Sequence, residues 1–183
     1  MTRLFRTQNQ LILCALMACI TLPAAAASKE EIDVNVQVAL EEFYEKSPAG
    51  RILSERAAGM LVFPRVVKAG VGIGGEYGEG ALLADGQTVA YYSTASASIG
   101  LQLGAQIKSQ VILFMDQEAL DRFRNSDGWE AGVDGSITLI EFSAAEDIST
   151  NTLRQPIIGF IFSNRGLMYN LTFEGSKMTE ISR

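Results

Sequence analysis

The sequence predicts an α+β protein: a strongly curved antiparallel β-sheet, or a small barrel-like sheet, with two N-terminal helices and one short helix near residues 116–124. Three observations carry this reading. From Thr94 to Lys108 the chain alternates without a break, with Ala95, Ala97, Ile99, Leu101, Leu103, Ala105 and Ile107 set against Thr94, Ser96, Ser98, Gly100, Gln102, Gly104, Gln106 and Lys108. Period two is the mark of extended chain with one face on a core. From Lys68 to Gly80 the alternation recurs, but its second face is Gly70, Gly72, Gly74, Glu76, Gly78 and Gly80 and so carries almost no side chains. Glycine weakens a strand, so such a row implies a sharp bend, a bulge, or another backbone or ligand lying close against the sheet. The third observation is a helical stripe, Ile32, Val36, Ala39, Leu40 and Phe43, ahead of the strands.

In chain order, Met1–Gln10 contains Arg3 and Arg6 and no acid, Leu11–Leu22 is an apolar run, and Pro23 precedes four alanines. A basic start, a short apolar middle and an A-x-A exit describe a secretory signal peptide over residues 1–27, with cleavage after about Ala27. Leu16-Met17-Ala18-Cys19 offers a competing lipoprotein reading, with lipidation at Cys19.

Residues 28–57 form a helical segment. Ser28-Lys29-Glu30-Glu31 is a capping box opening a helix to about Lys46. Ser47-Pro48 restarts helix, with Ile52, Leu53 and Ala57 facing inward and Gly59 ending it. The β-rich part follows over 58–183. Met60–Phe63 is a short strand ending at Pro64, the glycine-rich strand runs to a turn at Asp85-Gly86, and Thr88–Tyr92 leads into the long alternation. Fifteen alternating residues would span about 50 Å, longer than strands usually run, so a bend or break is expected at Gly100 or Gly104. Val111–Phe114 is apolar throughout and expected to be buried on both faces. Asp116 caps a helix over Gln117–Arg124 that buries Leu120 and Phe123. Trp129 opens an extended region to Phe142, residues 143–155 read as a polar loop, and Ile157–Phe162 and Leu167–Phe173 read as strands joined by a hairpin turn at Ser163-Asn164-Arg165-Gly166.

Composition excludes several function classes. The chain of 183 residues has no histidine and two cysteines, Cys14 and Cys19. Cleavage near Ala27 would remove both, and with them disulfides, thiol catalysis and cysteine metal sites. Histidine-based triads and metal sites are absent altogether. Without Arg3 and Arg6, 13 bases would face 21 acids, a net charge of about −8, which disfavours nucleic acid as a partner. Gly70-Val71-Gly72-Ile73-Gly74-Gly75 matches G-x-G-x-x-G, but Glu76-Tyr77-Gly78-Glu79-Gly80 is poor helix and puts carboxylates where a pyrophosphate would lie. Glu76 and Glu79, three apart on a strand, point to opposite faces and do not pair. No catalytic residues, metal or cofactor emerge.

Ala58-Gly59-Met60-Leu61-Val62-Phe63-Pro64, Lys68-Ala69-Gly70, Gly72-Ile73-Gly74-Gly75-Glu76-Tyr77-Gly78-Glu79-Gly80, Tyr92-Ser93, Ala97-Ser98 and Gly104-Ala105-Gln106 together resemble the motif run of SYLF domains. Phe114, Phe123, Trp129 and Gly166-Leu167 with Leu171, Glu174 and Gly175 fit the later part of that pattern, so the resemblance spans about Ala58 to the C-terminus. It implies a lipid-binding module and, with the export signal, a bacterial envelope protein, periplasmic or outer-envelope associated. The chain lacks the basic amphipathic N-terminal segment that eukaryotic relatives use on membranes, since Ser28–Lys46 is acidic.

Two features bear on such a role. Arg51, Arg56, Arg65 and Lys68 face only Glu55, a local excess of positive charge in an acidic chain with Lys108 as a fifth candidate, and such bases can hold anionic lipid headgroups. The bare face of Gly70, Gly72, Gly74, Ser96, Ser98, Gly100 and Gly104 can admit either an acyl chain or a closely packed element such as the helix Ser28–Lys46. The expected function is therefore non-catalytic binding of anionic phospholipid or a membrane surface. A structural or protein-interaction module of the envelope, its partner unidentified, is the alternative, and a lipid-acting hydrolase comes third.

Overall fold

The computed structural model describes residues 27–140, 154–166, 172–173 and 175–183. Its helices are α1 (Lys29–Lys46), α2 (Pro48–Ser54) and α3 (Gln117–Arg124), and its strands are β1 (Gly59–Ala84), β2 (Gln87–Phe114), β3 (Trp129–Glu130), β4 (Thr138–Ile140), β5 (Ile157–Gly166) and β6 (Lys177–Ile181). The strands form a mixed, curled half-barrel in which, among the described strands, only β4 and β5 pair in parallel. β2 is its spine. One edge of β2 pairs with β1 along its whole length, and the other takes β6 at residues 91–95 and β5 at residues 106–114.

The pieces read separately between Met60 and Phe114 are thus two very long strands of one hairpin, 26 and 28 residues. Asp85 and Gly86 both have positive φ, 51° and 74°, which is the two-residue turn geometry that matches strand twist. Pro64 does not end its strand. It sits in a bulge between Phe63 and Val66, and the carbonyl it still offers accepts from Ser109 Oγ at 2.9 Å.

A second irregularity gives the fold its shape. Val71 pairs with Leu103 and Ile73 with Ile99, so Gly72 alone stands opposite residues 100–102. Gly72 has φ of 72°, which a residue with a Cβ adopts at a cost. The hairpin bends there and doubles back, which places the bend where Gly100 and Gly104 were expected to put it. The glycine row is then explained by close approach. A Cβ on Gly78 would lie 2.8 Å from the Arg65 carbonyl oxygen, one on Gly80 would meet the Val62 carbonyl, and one on Gly70 would meet Gly74. The glycine face lies inside the fold, against its own strand.

Two cores stabilise this arrangement. On the convex side α1 buries Ile32, Val36, Ala39, Leu40 and Phe43 against Val62, Ala81, Leu83, Tyr91, Val111 and Leu113. Ser28 Oγ caps the helix on Glu31 N–H at 3.2 Å, Phe43 packs edge-on to Phe160 at 4.9 Å, and Asp33 accepts hydrogen bonds from Thr88 and Tyr91 at 3.0 and 2.9 Å. On the concave side α3, capped by Asp116 on Ala119 N–H at 2.7 Å, inserts Leu120 and Phe123 against Tyr92, Phe114 and Trp129.

Several expectations need correction. α1 packs on the apolar face of the sheet, opposite the glycine row, because that row is already filled by backbone. α2 is a single short helix ending at Ser54, and Ile52 is exposed while Leu53 is buried, since two turns bury only one narrow edge. Ser163–Gly166 continues β5, with Gly166 opposite Gln106, instead of forming a turn; Ser163 takes up the irregularity with φ of 53°. The region after Trp129 is two short strands around a turn, not one extended run. β6 was not anticipated, because Lys177-Met178-Thr179-Glu180-Ile181 has little apolar alternation. Phe142, most of the loop 143–155, Leu167–Leu171, the export segment and Cys19 lie outside the described residues.

The close approach makes a sharp prediction. Gly80→Ala should destabilise by about 3 kcal/mol, since backbone must move to admit the methyl group. Gly75→Ala, whose Cβ meets only the Ser96 carbonyl at 3.9 Å, should leave stability unchanged or raise it by about 0.5 kcal/mol. Urea unfolding of both variants measures the difference.

Candidate functional site

The bend separates two chemistries that alternate along the same residues. On the concave side, near the crease, Lys68, Glu76, Thr94, Gln106, Lys108 and Gln110 are all buried. Lys108 Nζ lies 3.0 Å from Glu76 Oε2, and Gln110 Nε2 donates to Glu76 Oε1 at 3.4 Å. Burial pulls the Lys108 pKa below its ordinary 10.5; the Glu76 carboxylate opposes that shift and Lys68 adds to it. A charge pair taken out of water gives little net stability, but it fixes which residues face inward, because moving either partner alone leaves a bare charge inside.

On the convex side the same two strands present the opposite character. From the edge of α1 toward the bend this face carries Val67, Ala69, Val71, Ile73, Gly75 and Tyr77 of β1 and Ala95, Ala97, Ala105 and Ile107 of β2, none of them charged, with α1 bordering it at Val67, Tyr77 and Ile107. Val71 is 77% exposed, Ile73 70% and Tyr77 52%, with Val67 and Ile107 also in contact with solvent. The long alternation therefore does not turn its apolar residues to a core at this end. The narrow space inside the bend takes the glycines, and the apolar residues are left outside. A continuous, exposed apolar face of this kind marks an interaction surface.

Two grooves run where α1 meets this face. One, of about 480 Å³, is lined by Ala27, Ile32, Pro64, Arg65, Val67 and Tyr77 among others. The second, of about 490 Å³, is lined by Val38, Pro64, Arg65, Ile107 and Arg165 among others. Arg65 borders both, carried outward by the Pro64 bulge.

The five bases proposed from the sequence do not form one surface. Lys68 and Lys108 are together but inside the crease, 6% and 1% exposed. Arg65 is exposed beside the grooves. Arg51 is exposed on α2 with its guanidinium 5.2 Å from the Tyr44 ring centre, and Arg56 is exposed just after that helix. Of the bare face, Gly70 and Gly74 are close-packed against each other, and Ser96 and Ser98 are partly covered on the same side. Sequence reasoning did not single out Val67, Val71, Ile73, Tyr77 and Ile107 as functional. The signal was present, since apolar residues that alternate with glycine cannot all face a core if the glycines do.

Residues 95–183 match the Ysc84 family, described as Las17-binding protein actin regulator. The match begins within β2 and leaves the glycine-rich strand outside it. Comparison with curated proteins gives no match.

The buried pair makes a prediction whose sign is set by the lysine. Glu76→Gln removes the carboxylate that holds the Lys108 pKa up, so burial and Lys68 depress it further. A lysine with a depressed folded pKa opposes folding while it is charged, and the opposition fades as pH rises toward 10.5. Glu76→Gln should therefore cost about 3–5 kcal/mol near pH 7 and distinctly less near pH 10, measured by urea unfolding at both values against the parent.

Proposed function

Because the chain carries a Ysc84-type (SYLF) domain, we propose that it is a non-catalytic phospholipid-binding protein that sets the convex apolar face of its bent hairpin into a bilayer surface. The observation that carries this is the uncharged, solvent-facing row Val67, Ala69, Val71, Ile73, Gly75 and Tyr77, with Ala95, Ala97, Ala105 and Ile107 of β2 on the same face. Val71 and Ile73 stand at the crest of the bend, where they can reach the acyl boundary while the backbone stays hydrogen-bonded within the hairpin. Tyr77 adds an amphipathic ring suited to the headgroup level. Arg65, Arg51 and Arg56 supply cationic contacts of about 1 kcal/mol each near an anionic surface. Lys68 and Lys108 support the face from inside instead of touching headgroups. The export-like N-terminus supports a site of action in the bacterial periplasm or outer envelope, with lipidation at Cys19 as the other route to a membrane.

The competing reading is a protein partner on the same face. The family description names a Las17-binding actin regulator, and an exposed apolar sheet face can dock another protein as well as a membrane.

Flotation with vesicles of phosphatidylcholine, with and without phosphatidylglycerol, separates the readings. Val71→Asp and Ile73→Asp should each lower vesicle binding about tenfold or more while leaving the melting temperature unchanged, as both side chains are in solvent. Arg65→Glu should weaken binding severalfold, only with the anionic lipid and only at low salt. Undiminished flotation of both aspartate variants would reject the convex face as the lipid contact. Absence of flotation for the parent protein would favour a protein partner.

A further inference from the structure

Ala27 occupies a defined place in the fold. Its side chain packs against the cluster beneath α1, and its backbone nitrogen donates to Glu79 Oε2 at 3.2 Å. The same carboxylate receives Arg183 Nη2 at 2.5 Å and the Tyr77 hydroxyl at 2.7 Å. Glu79 thus gathers the residue ahead of the α1 cap, Tyr77 of β1 and Arg183, two residues past β6, at one point. Ala24-x-Ala26 and Ala25-x-Ala27 both satisfy the small-residue rule for signal-peptide cleavage, so sequence leaves the cut ambiguous by one residue.

The geometry points to the peptide bond between Ala26 and Ala27 as the processing site, with the new α-ammonium of Ala27 bound to Glu79. This rests on the export reading above and fixes its register. Hydrolysis of that bond gives Ala26 a carboxylate and Ala27 an ammonium, turning a neutral N–H donor into a charge-assisted one at a carboxylate that already faces it. Cutting one residue later would discard the Ala27 packing and leave Glu79 without its donor from α1. It would also put the ammonium on Ser28, the residue whose side chain caps the helix, where positive charge opposes the helix dipole. At Ala27 the charge stands one residue further out and is neutralised by Glu79.

Intact-mass analysis of the full-length chain after secretion into a bacterial periplasm tests the register. A mass beginning at Ala27 is the expected result. A mass beginning at Ser28, or a lipid-modified species beginning at Cys19, overturns the register while leaving export intact. Retention of residues 1–26 overturns both the register and the export reading. Labelling of the mature protein with an amine-acylating reagent near pH 7 tests the ion pair, because a paired, protonated α-amine reacts slowly. Labelling at Ala27 should be severalfold faster in Glu79→Gln than in the parent, and equal rates would reject the contact.

Discussion

The structure depends on one hairpin folding over onto itself. β1 and β2 are far longer than strands in ordinary sheets, and a flat ribbon of that length would expose most of both faces. Bending at Gly72 brings the backbone near Gly78 and Gly80 onto the backbone near Arg65 and Val62. Contact that close is open only to residues without a Cβ. The glycine row costs strand stability residue by residue, and the packing of one half of the hairpin on the other offsets that cost.

The remaining features follow from this crease. Where the two halves separate enough to admit side chains, the interior holds Glu76, Lys108, Gln110 and their neighbours. Shifting this strand pair by one residue would put alanine and valine where only glycine fits, so the close approach itself specifies register. The Glu76–Lys108 pair reinforces it. A one-residue slip would expose one charge or strand the other, and the desolvation cost of either is several kcal/mol. The polar crease therefore specifies the fold more than it stabilises it.

The parts of the fold readable in the sequence were those governed by local rules. Ser28, Ser47 and Asp116 cap the three helices as their side chains predict, Asp85-Gly86 makes the turn, and the period-two pattern marks extended chain. Curvature was legible because so many glycines in one strand need a nearby backbone. Direction was not. Alternation states that two faces differ, not which one the rest of the molecule covers, and α1 is too short to cover the whole apolar face. For the same reason Lys68 read as a surface base, although its even position places it with Gly70 and Glu76 inside the crease. β6 was invisible because its place at the edge of β2 rests on backbone pairing and on Met178 alone among its buried side chains.

The exposed apolar face is a consequence of the crease and not an accident of composition. Strand geometry sends successive side chains to opposite sides, so a face kept bare for close packing must be matched by a face that carries all the bulk. A helix could have covered that bulk, and α1 does so where the two ends of the folded hairpin lie together, over Ala81, Leu83 and Tyr91 at one end and Val62, Val111 and Leu113 at the other. Beyond Tyr77 and Ala95 no described element takes over, and the uncovered residues lie on the outside of a bend whose backbone packs on itself. A preformed, convex, uncharged crest loses little conformational entropy on meeting an apolar environment. The same glycines that close the inside of the fold thus make its outside a surface ready for contact.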